Sequence, residues 1–297
     1  MGGSTRMTSS PPVKRFDWGN LRLRILSAVV LGPATFLVLW FGGWPFLLMV
    51  AIASTLLAIE WGLMSTPEAP ARTAGLVTAA VLVPLFLAYR DETRTACIAL
   101  PITALAAALA ARQARWSDRS LDIAFGVLYL GLPGITLIWL RHDPGGQGWA
   151  TTLLAATWSA DICAFTAGNI LKGPKLWPRF SPNKTWSGFF FGLAGAMVAA
   201  LGVSAAGLGE GGPGPGMAVP VGLVVGLATM AGDLWESILK RRFGVKDSGD
   251  LIPGHGGLLD RVDGLMFAIL VAAVLRLVLA PHGAAGIGAA MGAGWLR

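Results

Sequence analysis

Hydrophobic residues run along this chain in nine long blocks that are separated by short polar segments. Each block is close to the ~20 residues that an α-helix needs to cross the hydrocarbon core of a bilayer. The pattern therefore predicts an all-α fold, a polytopic bundle in a membrane with about nine transmembrane helices. The predicted spans are 24–42, 45–64, 72–89, 95–111, 121–140, 149–171, 188–208, 217–239 and 264–280.

The order of these blocks divides the chain into four regions. Residues 1–23 form a polar N-terminal tail, which we expect in the cytosol, and residues 24–148 form a first group of transmembrane helices. Residues 149–280 form a second group, whose connecting loops carry the unusual polar motifs, and residues 281–297 form a C-terminal tail. We expect the chemistry of the protein to lie in the second group and its loops.

Composition and charge agree with a membrane protein. Of the 297 residues 54% are hydrophobic and 13% are charged, about half of the ~25% charged residues in soluble domains. Both cysteines lie in hydrophobic blocks, so no disulfide framework is predicted. The net charge of +7 is explained by cations that meet anionic lipid head groups, and we recognise no nucleic-acid-binding module.

The basic residues also predict an orientation. With the N-terminus in the cytosol, 18 of the 23 Lys and Arg residues fall on the inner side, as the positive-inside rule requires. This choice places both unusual loops, 172–187 and 240–263, on the cytosolic side.

The eighth block ends in a polar helical face. Asp233, Glu236, Ser237 and Lys240 follow one another at i, i+3, i+4 and i+7 in "GDLWESILKRR", so they share one side of a helix. A carboxylate in a span is costly unless it meets a cation, another partner or water. A structural ion pair with Lys240 explains Glu236 more readily than Asp233, which leaves a functional role for Asp233.

A glycine-rich turn, "PGHGGLLDRVDG", precedes the ninth block. We expect a helix to begin near Gly257, with free N–H groups that suit a phosphate. Asp260 and Asp263 lie at i, i+3 on its first turns, a spacing that suits a hard cation such as Mg²⁺, although first-turn acids also complement a helix dipole. His255 has no nearby Cys or His at zinc-binding spacing, so a zinc site is not predicted.

A basic loop, "LKGPKLWPRFSPNKTWSG", joins the sixth and seventh blocks. Its prolines predict a shaped loop, and cations such as Lys184 suit a triphosphate or an anionic lipid head group. The alternative is plain positive-inside charge, which fits Lys172 and Lys175 better. Asp161 lies in the sixth block just before this loop, where a buried acid is functional or paired.

Taken together, these motifs resemble a known family. "SILKRRFGVKDSGDLIPGHGGLLDRVD" resembles the signature of the phosphatidate cytidylyltransferases, also called CDP-diacylglycerol synthases. "PRFSPNKTWSG" and "WSADICAFTAG" resemble a second motif of that family and the helix before it. The resemblance implies an enzyme of phospholipid biosynthesis that transfers the cytidylyl group of CTP to phosphatidic acid, giving CDP-diacylglycerol and pyrophosphate. It also implies Mg²⁺ as a cofactor and is compatible with a second cation. The location that it implies is the bacterial cytoplasmic (inner) membrane.

The resemblance suggests roles for individual residues. Asp233, Asp260 and Asp263 are the predicted metal ligands, and they form the predicted catalytic set together with Lys240 and Arg261. The predicted substrate contacts are Ser181, Lys184, Ser237, Arg241, Lys246, His255, Gly256 and Gly257. Beyond CTP, phosphatidic acid and membrane lipids, a homodimer is a further predicted partner, since Gly222-x-x-x-Gly226 permits close helix packing.

Two other functions are weighed against this one. A CTP-dependent lipid kinase would pass on the terminal phosphate and release CDP instead of pyrophosphate. An ion or solute transporter would use Asp161 and Asp233 inside the spans, but transporters often contain an internal repeat, and none is evident in the sequence.

Overall fold

The computed structural model describes residues 18–115, 119–178, 181–249, 251 and 256–279, with side chains from residue 29 onward except at position 182. Within these residues the chain forms nine α-helices and one short β-hairpin. The elements are α1 (Trp18–Phe41), α2 (Gly43–Ser65), α3 (Pro70–Tyr89), α4 (Thr93–Gln113), α5 (Ser120–His142), α6 (Gly146–Ile170), β1 (Lys175–Trp177), β2 (Ser181–Thr185), α7 (Trp186–Ala205), α8 (Pro215–Arg242) and α9 (Leu259–Leu279).

Each of the nine predicted spans falls on one of these helices, so the all-α polytopic bundle is confirmed. Seven helices, α2 to α5 and α7 to α9, are long and apolar enough to cross a membrane. Helix α1 contributes a shorter apolar stretch, Val29–Phe41. Helix α6 is more polar, since it carries several threonines and Asp161.

Helix α5 joins two packed groups of helices. The first group is α2 to α4 and the second is α6 to α9, and α5 contacts members of both. Trp61 of α2 is fully buried and lies 5.6–5.7 Å, between ring centroids, from Phe125, Tyr129 and Phe243. Because Phe243 directly follows α8, this aromatic cluster fixes the end of α8 against the first group.

Small residues bring α7 and α8 into close contact. A Cβ atom added at Gly222 would lie 2.7 Å from the Ala196 carbonyl oxygen, and one at Gly226 would lie 2.9 Å from the Ala196 Cβ. These glycines therefore pack against α7 of the same chain. The contact within one chain explains why glycines stand at positions 222 and 226. Their spacing therefore gives no support to the predicted homodimer, which stays a prediction.

The β-hairpin in the basic loop was not predicted as a strand pair, although its prolines did predict a shaped loop. Strands β1 and β2 are antiparallel, with Lys175 opposite Thr185 and Trp177 opposite Ser181. The backbone N–H of Trp186 donates to the Pro174 carbonyl oxygen at 3.1 Å and closes the base of the hairpin. Strand β2 leads directly into α7, so the hairpin is held against the start of that helix.

Candidate active site

A polar cavity of about 870 Å³ lies where α6, α8 and α9 meet the β-hairpin. Its wall combines residues from the end of the eighth block, the start of the ninth block and the basic loop, so the fold brings these distant segments together. The charged and polar residues of the wall are Asp161, Asn169, Lys172, Lys175, Asn183, Lys184, Thr185, Asp233, Glu236, Ser237, Lys240, Asp260, Arg261 and Asp263.

Lys184 reaches across this cavity from the hairpin to α8. It lies on β2, and its Nζ is 2.5 Å from Asp233 Oδ2. The next residue, Thr185, caps α7, because its Oγ1 accepts a hydrogen bond from the Gly188 N–H at 3.1 Å. The cap and the hairpin together fix the backbone of Lys184, so its cation is held over the cavity rather than left on a mobile loop.

Two glycines set the crossing of α8 and α9 next to two of the predicted carboxylates. A Cβ atom added at Gly232 would lie 2.5 Å from the Asp263 carbonyl oxygen, and one at Gly264 would lie 2.8 Å from Asp233 Oδ1. Only glycine fits at such a close approach. The crossing therefore fixes Asp233 and Asp263 on facing helices at the cavity wall.

Lys240 forms a second ionic cluster on the same wall. Its Nζ is 2.6 Å from Glu236 Oε2, one helical turn earlier, and it also pairs with Asp260 Oδ1 on α9. The other oxygen of Asp260 accepts hydrogen bonds from the N–H and the hydroxyl of Ser248, at 3.1 and 2.9 Å. The expected structural pairing of Glu236 with Lys240 is present, whereas Asp233 pairs with Lys184.

Glu60 of α2 belongs to this region and was missed. It is fully buried, and its carboxylate accepts the N–H groups of Leu258 and Leu259 at 2.7 Å each. The expectation that free N–H groups at the start of this helix bind phosphate is therefore wrong for these two groups, because Glu60 already occupies them. The available signal was a lone charge in the hydrophobic block 45–64, which is costly without partners.

The remaining predicted residues divide into two sets. Arg261 and Ser237 line the cavity, and the Ser237 hydroxyl donates to the Asp233 carbonyl oxygen of its own helix at 2.9 Å. Five others are not part of the cavity wall, and their contact with substrate stays a prediction: Ser181, Arg241, Lys246, Gly256 and Gly257. His255 lies outside the described residues.

Asp161, whose role the sequence left open, lies on the cavity wall with Lys184 and Asp233. Of the remaining acids of the 240–263 loop, Asp247 is not among the wall residues, and Asp250 lies outside the described residues. Asp161 is therefore an additional acid of the cavity wall, to which the sequence assigned no role.

The carboxylates of the wall suit Mg²⁺ in their chemistry. Among the described side chains no three His, Cys, Asp or Glu residues are spaced to hold one ion, so Asp233, Asp260 and Asp263 are not assembled as a set of three. Mg²⁺, however, is usually held by one or two carboxylates together with water and substrate phosphates. Asp233 and Asp263 fit this arrangement, and the buried Glu236 Oε1 has no hydrogen-bond partner in the structure.

Comparison with known proteins agrees with these motifs. The model of the cytidylyltransferase family matches residues 22–279. The chain is 40% identical over 251 residues to the phosphatidate cytidylyltransferase of Brucella suis, covering 84% of this chain and 90% of that protein. It is 33% identical over 283 residues to the phosphatidate cytidylyltransferase of Pseudomonas aeruginosa, covering 86% and 96%. The resemblance seen in the sequence is confirmed, and the chain belongs to the phosphatidate cytidylyltransferase family.

Proposed function

We propose that this protein transfers the cytidylyl group of CTP to phosphatidic acid, giving CDP-diacylglycerol and pyrophosphate. The observation that carries the proposal is the cavity itself, where lysines from the hairpin and α8 meet carboxylates from α6, α8 and α9 at one end of the bundle. A set of paired cations and carboxylates is suited to a substrate with several phosphates. Membership of the family supplies the identity of the two substrates.

The reaction requires no strong general base. A phosphate oxygen of phosphatidic acid is already anionic, and it attacks the α-phosphorus of CTP. The bond between that phosphorus and the oxygen that bridges to the β-phosphorus breaks, and pyrophosphate leaves with the electron pair. The protein therefore contributes mainly by positioning the two substrates and by neutralising charge.

The cations of the wall are suited to this task. Lys184 and Lys240 are held in place by Asp233, Glu236 and Asp260, so their positions are set before a substrate binds. With Arg261 they are the proposed contacts of the triphosphate and the lipid phosphate. Each lysine offers a compact charge with three donors that can turn from a carboxylate to a phosphate.

Mg²⁺ is the proposed cofactor. Asp233 and Asp263 are its proposed ligands. Lys240 and Ser248 engage both oxygens of Asp260, so Asp260 becomes a third ligand only when the ion displaces Lys240. When bound, the ion would neutralise charge on the phosphates as a Lewis acid. Removal of divalent cations with a chelator, followed by their return, tests this requirement.

Labelled CTP distinguishes the proposed reaction from that of a lipid kinase. With purified protein in phosphatidic acid vesicles and Mg²⁺, we expect label from the α-phosphate of CTP to enter the lipid, with release of pyrophosphate. A kinase would instead transfer label from the γ-phosphate and release CDP. Transfer of the γ-label, or of neither label, would contradict the proposal.

We further propose that the cavity opens on the cytosolic side of a bacterial cytoplasmic membrane. The charge asymmetry of the loops supports this orientation. The hairpin and Ser248 lie at the same end of the bundle, so both should share one side. In a variant with Cys97 and Cys163 replaced by serine, a cysteine at Lys175 or Asp247 should react with an impermeant reagent only from the cytosolic side, and labelling from outside would overturn the orientation.

A further inference from the structure

We propose that Glu60 is a positioning residue of this enzyme. It holds the segment formed by Ser248, Gly249 and the start of α9 so that Asp260 and Lys240 face the cavity. The proposal rests on the proposed function, because it concerns the same site. Glu60 is not part of the cavity wall, so it acts through its neighbours and not through the substrates.

Glu60 caps the start of α9 from a different helix, α2. The N–H groups at the start of a helix are normally satisfied by a side chain just before that helix. At the start of α9 they are instead satisfied by Glu60, which lies 198 residues away from Leu258 in the chain. Hydrogen bonds to a charged acceptor in a water-poor interior are stronger than neutral ones. One buried carboxylate thus fixes the start of α9 relative to α2.

The second step connects Glu60 to the catalytic residues through Ser248. The buried Ser248 hydroxyl lies 3.3 Å from Glu60 Oε2 and 2.9 Å from Asp260 Oδ2. A hydroxyl has one proton to donate, and Asp260 is the nearer acceptor. Asp260 in turn pairs with Lys240. Glu60 therefore reaches the cavity through two contacts, by packing against Ser248 and by accepting the N–H of Leu259, the residue before Asp260.

The third step is steric. A Cβ atom added at Gly249, next to Ser248, would lie 3.3 Å from Glu60 Cγ, so the segment packs directly on the Glu60 side chain. Loss of the carboxylate would release Ser248, Asp260 and the start of α9 together. This shared dependence distinguishes a positioning role from a contribution to the hydrophobic core.

A double-mutant cycle tests the connection. Glu60→Gln keeps the size of the side chain but removes its charge and one acceptor oxygen, and we expect kcat/KM for CTP to fall by about tenfold to a hundredfold. Ser248→Ala should also reduce kcat/KM, and the double variant should be no slower than the slower single variant. Losses that multiply would overturn the proposal.

Leu57→Ala is the matched control. Leu57 is buried in the same helix, one turn before Glu60, and packs in the hydrophobic core. Its truncation should lower the unfolding temperature while kcat/KM of the folded enzyme stays within about twofold, because core packing does not position the site. An equal loss of activity in Leu57→Ala would show that Glu60 acts only through stability.

Hydrogen exchange provides a measurement that does not depend on activity. In Glu60→Gln the amides of Leu258 and Leu259 should exchange faster than in the unmodified protein without substrate, and unchanged exchange would overturn the proposal. If the unmodified protein forms no CDP-diacylglycerol, the proposed function fails, yet exchange still decides whether Glu60 holds the segment. If Glu60→Gln does not fold, Glu60→Asp takes its place, because it keeps the charge but shortens the side chain: faster exchange at Leu258 and Leu259 together with a lower kcat/KM supports the proposal, and faster exchange with full activity contradicts it.

Discussion

The two ends of α9 both carry charged side chains, but they use them in different ways. At its start, Asp260 and Asp263 line the cavity and share it with the lysines. At its end, the buried Arg276 donates to the carbonyl oxygens of Leu140 and Pro144, at 2.8 and 2.7 Å, and pairs with Asp143. Arg276 thereby ties the end of α9 to the connection between α5 and α6.

A second arginine at this far end behaves in the same way. The guanidinium of Arg141 donates from Nε to the Leu39 carbonyl oxygen at 2.6 Å and from Nη2 to that of Trp40 at 2.7 Å. These are carbonyl groups at the end of α1, which have no partner within their own helix. Arg141 of α5 therefore joins the two helices by donating hydrogen bonds to the carbonyl groups in the last turn of α1.

The difference lies in the type of partner. An arginine offers a rigid fork of donors, whereas a lysine offers a compact charge that turns easily between partners. At the far end the arginines meet mainly fixed backbone carbonyls, with Asp143 as one carboxylate partner of Arg276, so their contacts hold helices together. In the cavity the lysines meet carboxylates, and these contacts can be exchanged for substrate phosphates. The predictions below test this distinction.

The largest effect on activity is expected from Asp260→Asn. Loss of this charge removes a proposed metal ligand and the partner of Lys240, so CDP-diacylglycerol formation should fall by about a thousandfold or more. Initial rates in phosphatidic acid vesicles measure the effect. The control is Asp143→Asn, the same change in the partner of Arg276 between α5 and α6, which should leave the rate of the folded protein nearly unchanged. Near-normal turnover of Asp260→Asn at saturating Mg²⁺ would contradict its role.

A smaller loss is expected from Lys184→Ala. A charge-assisted contact is worth roughly 1.5–3 kcal/mol, so catalytic efficiency should fall by about tenfold to a hundredfold without loss of membrane insertion. Rates measured separately against CTP and phosphatidic acid show which substrate Lys184 serves. Arg112→Ala removes an exposed charge from the same predicted face, away from the cavity wall, and should have little effect. Unchanged efficiency for both substrates would remove the hairpin from the site.

Arg276→Gln should reverse the pattern, with a large effect on stability and a small one on activity. It removes the ion pair and leaves the carbonyl oxygen of the buried Leu140 without its donor, which costs about 1–3 kcal/mol. Thermal unfolding in detergent should show a lower midpoint, while kcat of the folded enzyme stays within about twofold. An inactive protein with an unchanged unfolding midpoint would contradict the division between the two ends.

The smallest effect is expected from Arg242→Ala. The Arg242 side chain is 59% exposed and pairs with Asp122 at 2.6 Å. Exposed ion pairs contribute about 0–1 kcal/mol, so neither the unfolding midpoint nor the rate should change much. A loss of activity similar to that of Lys184→Ala would show that the site extends beyond the cavity described above.

Local patterns predicted a large part of this architecture. The nine hydrophobic blocks predicted the nine described helices, because each helix of the bundle needs an apolar surface of its own. The spacing of Asp233, Glu236, Ser237 and Lys240 predicted one shared face, and all four line the cavity. Such features depend on the geometry of a single helix, which sequence spacing determines directly.

Contacts between distant segments could not be predicted in this way. The pairing of Lys240 with Asp260, and of Lys184 with Asp233, depends on how the helices pack. Glu60 was visible as a lone acid in a hydrophobic block, but its partners lie at the start of α9. Spacing reveals that a buried charge needs a partner, whereas only the packed structure reveals which partner it has.

The glycine crossing of α8 and α9 has a consequence for turnover. Because Gly232 and Gly264 allow backbone contact beside Asp233 and Asp263, these two carboxylates cannot separate unless the helices themselves move apart. We therefore expect this side of the cavity to stay rigid through the catalytic cycle. Admission of CTP and departure of pyrophosphate then require exchange of side-chain ion pairs at the wall, such as Lys184 with Asp233, and no movement of the crossing itself. The side chains of the wall can thus change partners while the crossing of α8 and α9 stays in place.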